Sequence, residues 1–195
     1  MRVMNKEHVL MCVMAESAAG KDRLVNELCN RNHLTQLISY TTRARRANED
    51  DTHIFVNEET YQQMKDDNNI AAYTYINGNH YWSTINQLYE SDFYVIDPRG
   101  IESLKALNLP KLHLITVYVN VPEDIRKERA RLRGDDMNVY RNRCLSEREQ
   151  FRDMKKNMNV DYVVPNVDFA KSYSVLKWIA TVEGVWKNHQ EDKTE

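Results

Sequence analysis

The sequence predicts a three-layer α/β fold, in which a parallel sheet is covered by helices on both faces and a small mixed lobe is inserted between two strands. Two observations support this prediction. Short apolar segments alternate with helix-period segments along most of the 195-residue chain, and strands that alternate with helices form parallel sheets. The alternation is interrupted once, by hairpin-type strands between residues 53 and 83. A chain of this length forms one domain with a full core.

The first strand, loop and helix form the segment around which the rest of the chain is arranged. An apolar run, Val9–Val13, ends at small residues, Gly20 and Lys21 follow, and apolar residues then recur with helical spacing. Such a loop points several backbone N–H groups at one spot before a helix, where they attract phosphate. Residues 15–22, here named the phosphate loop, are therefore predicted to bind phosphate. A plain strand-to-helix turn with an exposed lysine would have the same sequence features.

The remaining core elements follow from hydrophobic spacing and helix-start signals. Strands are predicted over 8–14, 34–39, 92–97, 112–119 and 161–164, and helices over 21–31, 99–107, 122–133, about 139–157 and 168–188. Pro122, with two acidic residues behind it, suits a helix start, because proline fits the first helical position and carboxylates suit its positive end. Asp97 ends a strand at the edge where parallel sheets bind ligands, although ordinary strand-end capping would also explain it.

The inserted lobe is predicted from a second set of patterns. Strands are predicted over 53–56 and 70–76, a helix over 57–67, and a hairpin turn at Asn77-Gly78 before a further strand at 80–83. A lobe that faces a phosphate loop suggests a second substrate and closure over it. After the predicted strand 34–39, residues 39–46 hold three arginines among hydroxyl side chains. Arginine grips phosphate in bidentate fashion, but a solvated basic loop would look the same.

Composition excludes several classes of partner. The net charge is −2 and no apolar run approaches the ~20 residues that span a bilayer, so we expect neither nucleic acid nor membrane as a partner. The N-terminus lacks a clean signal-peptide cleavage pattern. Cys12, Cys29 and Cys144 are widely spaced, which indicates reduced cytoplasmic thiols rather than a zinc site or a disulfide framework.

The order of these segments resembles the guanylate kinase family. The motifs are the phosphate loop, then S-Y-T-T-R-A-R-R at 39–46, G-N-H-Y-W-S at 78–83, D-P-R-G at 97–100, arginines at 129, 133 and 143, and D-Y-V-V-P-N at 161–166. The resemblance covers about residues 8–188. It implies a P-loop NTPase-type parallel sheet with an inserted nucleotide-monophosphate lobe and a helical lid. The core would be 1–38 and 88–195, the lid about 126–147, and the lobe 39–87.

The resemblance also implies a role for each matching residue. ATP and Mg²⁺ would be the cofactors. Donor nucleotide would be bound by Ala15, Glu16, Ser17, Ala18, Ala19, Gly20, Lys21, Asp22, Arg23, Arg129 and Asn166. The acceptor nucleotide would be bound by Ser39, Arg43, Arg46, His53, Tyr81, Ser83 and Asp97. Lys21, Arg133 and Arg143 would act on the transferring phosphoryl group, and Asp22 and Asp97 would lie near the metal ion. The resemblance leaves monomer and homodimer open.

Four departures from the family pattern separate this sequence from a standard member. Ala15 and Ala18 replace loop glycines, which restricts backbone angles with positive φ. Asp22 replaces the hydroxyl that binds Mg²⁺, although a carboxylate is also a hard oxygen ligand. His53 stands where the family has a phosphate-contacting tyrosine. Ala72 stands where a glutamate reads the guanine edge, and Thr74 on the same strand face is only a weak substitute.

Three functions therefore stay open at this point. The first is a nucleoside monophosphate kinase acting on GMP, dGMP or a related nucleotide. The second is a catalytically weak or inactive relative that binds a partner through the acceptor pocket, which the altered loop and Ala72 favour. The third is a kinase for another phosphorylated small molecule. A kinase is favoured by retained basic residues, namely Lys21, Arg43, Arg46, Arg133 and Arg143, because a binding module has no need of lid arginines.

Overall fold

The computed structural model describes residues 7–45, 53–76, 78–157 and 160–189. The strands are β1 His8–Met14, β2 Gln36–Leu37, β3 Tyr40–Thr41, β4 Ile54–Phe55, β5 Ala71–Ile76, β6 Asn79–Ser83, β7 Phe93–Val95, β8 Leu112–Asn120 and β9 Tyr162–Pro165. The helices are α1 Lys21–Asn32, α2 Glu58–Asp66, α3 Ile85–Glu90, α4 Pro98–Ala106, α5 Glu123–Arg133, α6 Met137–Asn157 and α7 Phe169–Val182, followed by a 3₁₀ helix, Val185–His189.

The main sheet has five parallel strands in the order β2-β7-β1-β8-β9. The central strand β1 is buried on both faces because its apolar run is continuous. Its alternate side chains point to opposite faces. Met11 and Val13 pack with α1 and α7, whereas Leu10 and Cys12 pack with α3, α4 and α6. The predicted three-layer α/β fold is confirmed.

A second, smaller sheet is formed within residues 40–83. Its order is β4-β3-β6-β5, with antiparallel β3–β6 and β5–β6 pairs and a parallel β3–β4 pair. Gly78, with φ of 78°, sits between β5 and β6, while Asn77 of the predicted turn lies outside the described residues. A bulge interrupts β5 between Ala71 and Thr74, and Ala72 there has a positive φ of 50°.

Three segments differ from the sequence prediction. The predicted strand 34–39 is only β2, because the chain then turns into β3 of the second sheet. Helix α3 was not predicted, although Thr84 and Gln87 form a capping box at its start. The predicted helix 168–188 ends at Val182, because Gly184 adopts a left-handed φ of 78° and the chain continues as a 3₁₀ helix.

The cysteines are free thiols. Cys12 and Cys29 are buried and Cys144 is half-buried. Burial raises the pKa of both Cys12 and Cys29 to about 12, so these two thiols stay protonated and unreactive at neutral pH. Throughout the described ranges, every helix is too short or too polar to cross a bilayer.

Candidate active site at the carboxyl edge of the parallel sheet

The parallel strands end at a cleft of about 450 Å³. Its walls come from the phosphate loop, the second sheet, the connection between β7 and α4, and one face of α6. Eight residues predicted for the site line this cleft, namely Ala15, Lys21, Asp22, Ser39, His53, Tyr81, Asp97 and Arg143. The loop lysine and the acceptor-side residues thus face the same space.

The phosphate loop keeps a strained backbone in spite of its alanines. Ala18 has a φ of 64° and Gly20 a φ of 83°. A left-handed alanine costs about 1 kcal/mol, so other contacts must hold this conformation. A Cβ atom added to Gly20 would lie 3.1 Å from Asn166 Nδ2, so the second loop glycine is required both by its angle and by its neighbour.

Two later side chains hold the loop from the β9 side. Asn166 Nδ2 donates to the Ala19 carbonyl at 2.7 Å, and Arg129 Nη1 donates to the same oxygen at 3.2 Å. Arg129 Nη2 also donates to the Asn166 carbonyl at 2.7 Å. Both side chains were predicted near the donor nucleotide, and the structure places them as supports of the loop. Asn166 is buried, and its Oδ1 atom accepts no hydrogen bond from the described residues.

Glu16, predicted to bind donor nucleotide, points away from the cleft. Its carboxylate accepts hydrogen bonds from Tyr118 Oη at 2.6 Å and Lys155 Nζ at 2.5 Å, and Arg126 Nη2 lies 3.8 Å away. Burial alone would raise the pKa of this carboxyl group, but the bonds from Lys155 and Tyr118 and the charges of Lys155 and Arg126 hold it below its ordinary value. The Glu16 side chain therefore anchors the loop to β8 and α6, and only its backbone can face a donor phosphate.

Lys21 and Asp22 start α1 and form a pair at the edge of the cleft. Lys21 Nζ lies 3.1 Å from Asp22 Oδ2, and the side chains are 23% and 60% exposed. Partial desolvation by the surrounding residues opposes ionisation of the Asp22 carboxyl, but the charge and hydrogen bond of Lys21 hold its pKa below the ordinary value. In the described part of the chain, no three His, Cys, Asp or Glu side chains cluster to hold a metal ion. Asp22 fits Mg²⁺ as a single hard oxygen ligand, with phosphate and water supplying the others.

The side of the cleft that is predicted to bind the acceptor carries short polar contacts. Ser39 Oγ and His53 Nδ1 are 2.9 Å apart, and the His53 ring meets the edge of Tyr81 with centroids at 5.6 Å. Thr74 Oγ1 donates to Asp97 Oδ2 at 3.2 Å, while Asp97 Oδ1 accepts the Gly100 N–H at 3.0 Å. Asp97 is therefore the cap of α4 and a cleft residue at once.

Apart from the phosphate loop and its two supports, four described residues predicted for the site do not line this cleft. Ser83 is buried and donates to the Ala71 carbonyl at 3.3 Å. The Arg43 guanidinium lies 5.3 Å from the centre of the Phe55 ring, and that of Arg23 lies 4.5 Å from the Phe169 ring. Arg133 is 60% exposed. Arg46 lies outside the described residues.

Arg133 is turned toward a neighbouring carboxylate. Its Nε and Nη2 atoms donate to Asp135 at 2.8 and 2.5 Å. This bidentate bond outweighs partial burial, so the pKa of Arg133 is raised and that of Asp135 is lowered. A role on the transferring group requires Arg133 to leave this partner.

The face of α6 that borders the cleft was not predicted from the sequence. Beyond the predicted Arg143, the lining includes Ser146, Glu147 and Gln150. Their spacing of three, four and seven residues from Arg143 puts them on one helix face, which is the signal that could have found them. Glu147 also contacts the loop, because its two oxygens accept the Ser17 backbone N–H at 2.8 Å and the Ser17 Oγ–H at 2.7 Å. Arg99, at the start of α4, completes this side of the cleft.

Comparison with known proteins gives one consistent result. Residues 7–182 match the family model for guanylate kinase. The chain is 29% identical over 185 residues to the guanylate kinase of Chlamydia caviae, covering 89% of this chain and 88% of that protein. It is 29% identical over 188 residues to the guanylate kinase of Geobacter metallireducens, covering 92% and 91%. A crystal structure of guanylate kinase from Anaplasma phagocytophilum has the same fold, with a TM-score of 0.63, 22% identity, and coverage of 91% and 87%.

Proposed function

Because this chain belongs to the guanylate kinase family, we propose that it transfers the γ-phosphoryl group of ATP to GMP, dGMP or a related nucleoside monophosphate. The observation that supports this proposal is the cleft itself. Lys21 of the phosphate loop, Ser39 and Tyr81 of the acceptor side, and Arg143 of α6 all line one space of about 450 Å³. A donor phosphate and an acceptor phosphate bound to those two surfaces would meet.

The proposed reaction needs little covalent chemistry from the protein, since phosphoryl transfer depends on positioning and charge neutralisation. Lys21 and the loop N–H groups would hold the donor phosphates. Ser39, His53 and Tyr81 would hold the acceptor phosphate. Arg143 would neutralise the group in transfer, and Mg²⁺, when bound beside Asp22, would supply further positive charge to the donor phosphates.

Two side chains on the predicted acceptor side do not favour guanine as the acceptor base. Ala72 lines the cleft where the family's glutamate would read guanine, and Ser83 donates to the backbone instead of facing the cleft. A charged hydrogen bond contributes about 1.5–3 kcal/mol, so its loss would weaken guanine preference about 10- to 200-fold. This substitution favours, as a second candidate, a kinase for a different phosphorylated small molecule.

The proposal is tested by an assay of coupled ADP release across the common ribo- and deoxyribonucleoside monophosphates. We expect turnover with at least one acceptor, and a loss of about 100-fold or more in Lys21→Ala, because one preorganised charge at a transfer site is worth this much. The matched control is Lys177→Ala, which removes an exposed lysine of α7. Bound monophosphate without any turnover would instead support the inactive binding module.

A further inference from the structure

The Glu147 carboxylate makes an unusual contact with the phosphate loop. Glu147 belongs to α6 and lies 130 residues from Ser17 in sequence, yet both of its oxygens accept hydrogen bonds from Ser17, at 2.8 Å from N and 2.7 Å from Oγ. A nucleotide phosphate would also present anionic oxygens that accept hydrogen bonds from N–H and hydroxyl groups of this loop. Glu147 thus occupies the Ser17 N–H, a hydrogen-bond donor that a nucleotide phosphate would otherwise use.

We propose that Glu147 is an internal ligand of the phosphate loop, which competes with the donor phosphates and couples their binding to the position of α6. This inference rests on the proposed function, because it assumes that the loop binds a nucleotide donor. It assigns to Glu147 a positioning role and no contact with the reacting atoms.

The surrounding charges favour this interpretation over an ordinary ion pair. Lys155, the nearby lysine of the same helix, is bound to Glu16, and the buried Arg126 donates to the Val121 carbonyl and lies 3.8 Å from Glu16. Among the ion pairs of the described residues, none includes Glu147. The two short hydrogen bonds of Glu147 therefore go to the loop itself. A phosphate that binds the Ser17 N–H must displace the Glu147 carboxylate, which carries the same sign of charge.

The position of Glu147 on α6 links this exchange to catalysis. Arg143 lies one helical turn before Glu147 on the same face, and both line the cleft. When Glu147 leaves the loop, α6 is freed from one of its attachments there, and Arg143 can move with the helix toward the phosphates. An internal competitor also lowers the apparent affinity for the donor nucleotide, because only molecules in which Glu147 has left the loop can bind it.

The test is a calorimetric titration of ADP with Mg²⁺ into the full chain and its variants. We expect Glu147→Ala to bind ADP about tenfold more tightly than the wild type, since a charge-assisted contact no longer competes, and Glu147→Gln to fall between the two. Glu149→Ala is the matched control, because this glutamate lies two residues on in the same helix and is exposed. Its ADP affinity should equal that of the wild type.

Two outcomes would overturn the inference, and they are distinguishable. If the wild type binds ADP and the Glu147 variants bind it equally or more weakly, Glu147 is no competitor, while the proposed function stands. If neither the wild type nor any variant binds ADP, the proposed function fails and the inference fails with it. Thermal unfolding of each variant separates a change in affinity from a loss of fold, and Glu147→Gln provides the measurement if Glu147→Ala does not fold.

Discussion

The phosphate loop and the lobe that carries the second sheet are stabilised in different ways. The loop has little core of its own, and its shape depends on side chains from distant elements. Asn166 and Arg129 bind its carbonyl at Ala19, Glu147 binds Ser17, and Glu16 reaches out to Tyr118 and Lys155. Each of these partners follows the loop by about 100 residues or more in the chain.

The lobe, defined here as residues 40–45, 53–76 and 78–83, is held mainly by an aromatic cluster of its own. Trp82 is fully buried, stacks on Tyr40 with centroids 5.5 Å apart, and lies 5.0 Å from Tyr61. Tyr61 stacks in turn on His80 at 3.8 Å. These aromatic residues belong to neither main-sheet core cluster, although Ala71 and Ala72 of β5 pack in one of them.

This difference explains which sequence changes each region tolerates. A left-handed alanine at position 18 can persist because hydrogen bonds from three other elements fix the loop around it. In the lobe, the aromatic cluster does not include Ala72, which packs with the main-sheet core at the bulge of β5. A substitution at this cleft-lining position leaves the aromatic cluster intact, so we expect it to change acceptor binding more than stability.

The largest effect is expected from a substitution that disrupts the aromatic cluster of the lobe. Trp82→Ala should lower the free energy of unfolding by about 3–5 kcal/mol, because it empties a fully buried aromatic site. If the two regions are independent, acceptor-dependent turnover is lost while ADP binding by calorimetry persists. Trp178→Ala removes a tryptophan that is 59% exposed and should change stability by less than about 0.5 kcal/mol. Equal loss of both substrates in Trp82→Ala would contradict the comparison.

The second prediction concerns the stability contributed by Glu16, which anchors the phosphate loop. Glu16→Gln should destabilise the protein by about 2–4 kcal/mol, because it leaves the buried Arg126 without its carboxylate partner. The exposed Glu102→Gln serves as the control, with a change within about 0.5 kcal/mol. Both are measured by urea unfolding.

The difference in unfolding free energy between the wild type and Glu16→Gln depends on pH, and the pKa of Glu16 sets the direction of this dependence. The pKa of Glu16 is held below its ordinary value of 4.5 in the folded state, so the unfolded state takes up a proton first as the pH falls. The stabilisation is complete well above pH 4.5 and is lost as the pH falls through the depressed pKa. The gap between wild type and Glu16→Gln should therefore shrink below about pH 4.5, and a constant gap would show that the charge is not the cause.

Much of this architecture could be predicted because its signals are local. The apolar run of β1, the glycine at position 20 and the proline at position 122 each act on their own neighbours, and the structure places β1, α1 and α5 close to the predicted positions. The short helix α3 was missed because six residues give too little hydrophobic periodicity, although its capping box was present in the sequence.

The side-chain partners in the site could not be predicted, because they depend on contacts between distant residues. Glu16 resembles any loop residue in sequence, and only the fold brings Tyr118 and Lys155 to it. The same holds for Glu147 and Ser17. Ser83 matched a motif, but in β6 its hydroxyl meets a backbone carbonyl of the neighbouring strand instead of the cleft.

The third prediction concerns Ala72 and the choice of acceptor base. Ala72→Glu should raise preference for GMP over AMP by about tenfold or more, because it adds the charged acceptor that guanine N–H groups require. Ala72 is buried but borders the cleft, so the longer side chain must extend into the cleft from this position. Ala72→Gln has the same shape without the charge and should gain less. The measurement is kcat/KM for each acceptor, and equal values for both variants would show that the base is not read at this position.

The smallest expected effect tests the donor side through Asp22. With its side chain 60% exposed and 3.1 Å from Lys21, Asp22 withdraws the lysine from a phosphate and adds a like charge unless Mg²⁺ lies between them. ATP binding should therefore depend strongly on Mg²⁺, and the ratio of Kd values in EDTA and in Mg²⁺ should fall about tenfold in Asp22→Ser, the lower range for one charge-assisted bond. Asp22→Asn removes the charge at nearly constant shape and should match Asp22→Ser if repulsion is the cause. Strong ATP binding in EDTA that Asp22→Ser leaves unchanged would mean that the carboxylate does not control the donor site, and the loop would then depend on its distant supports alone.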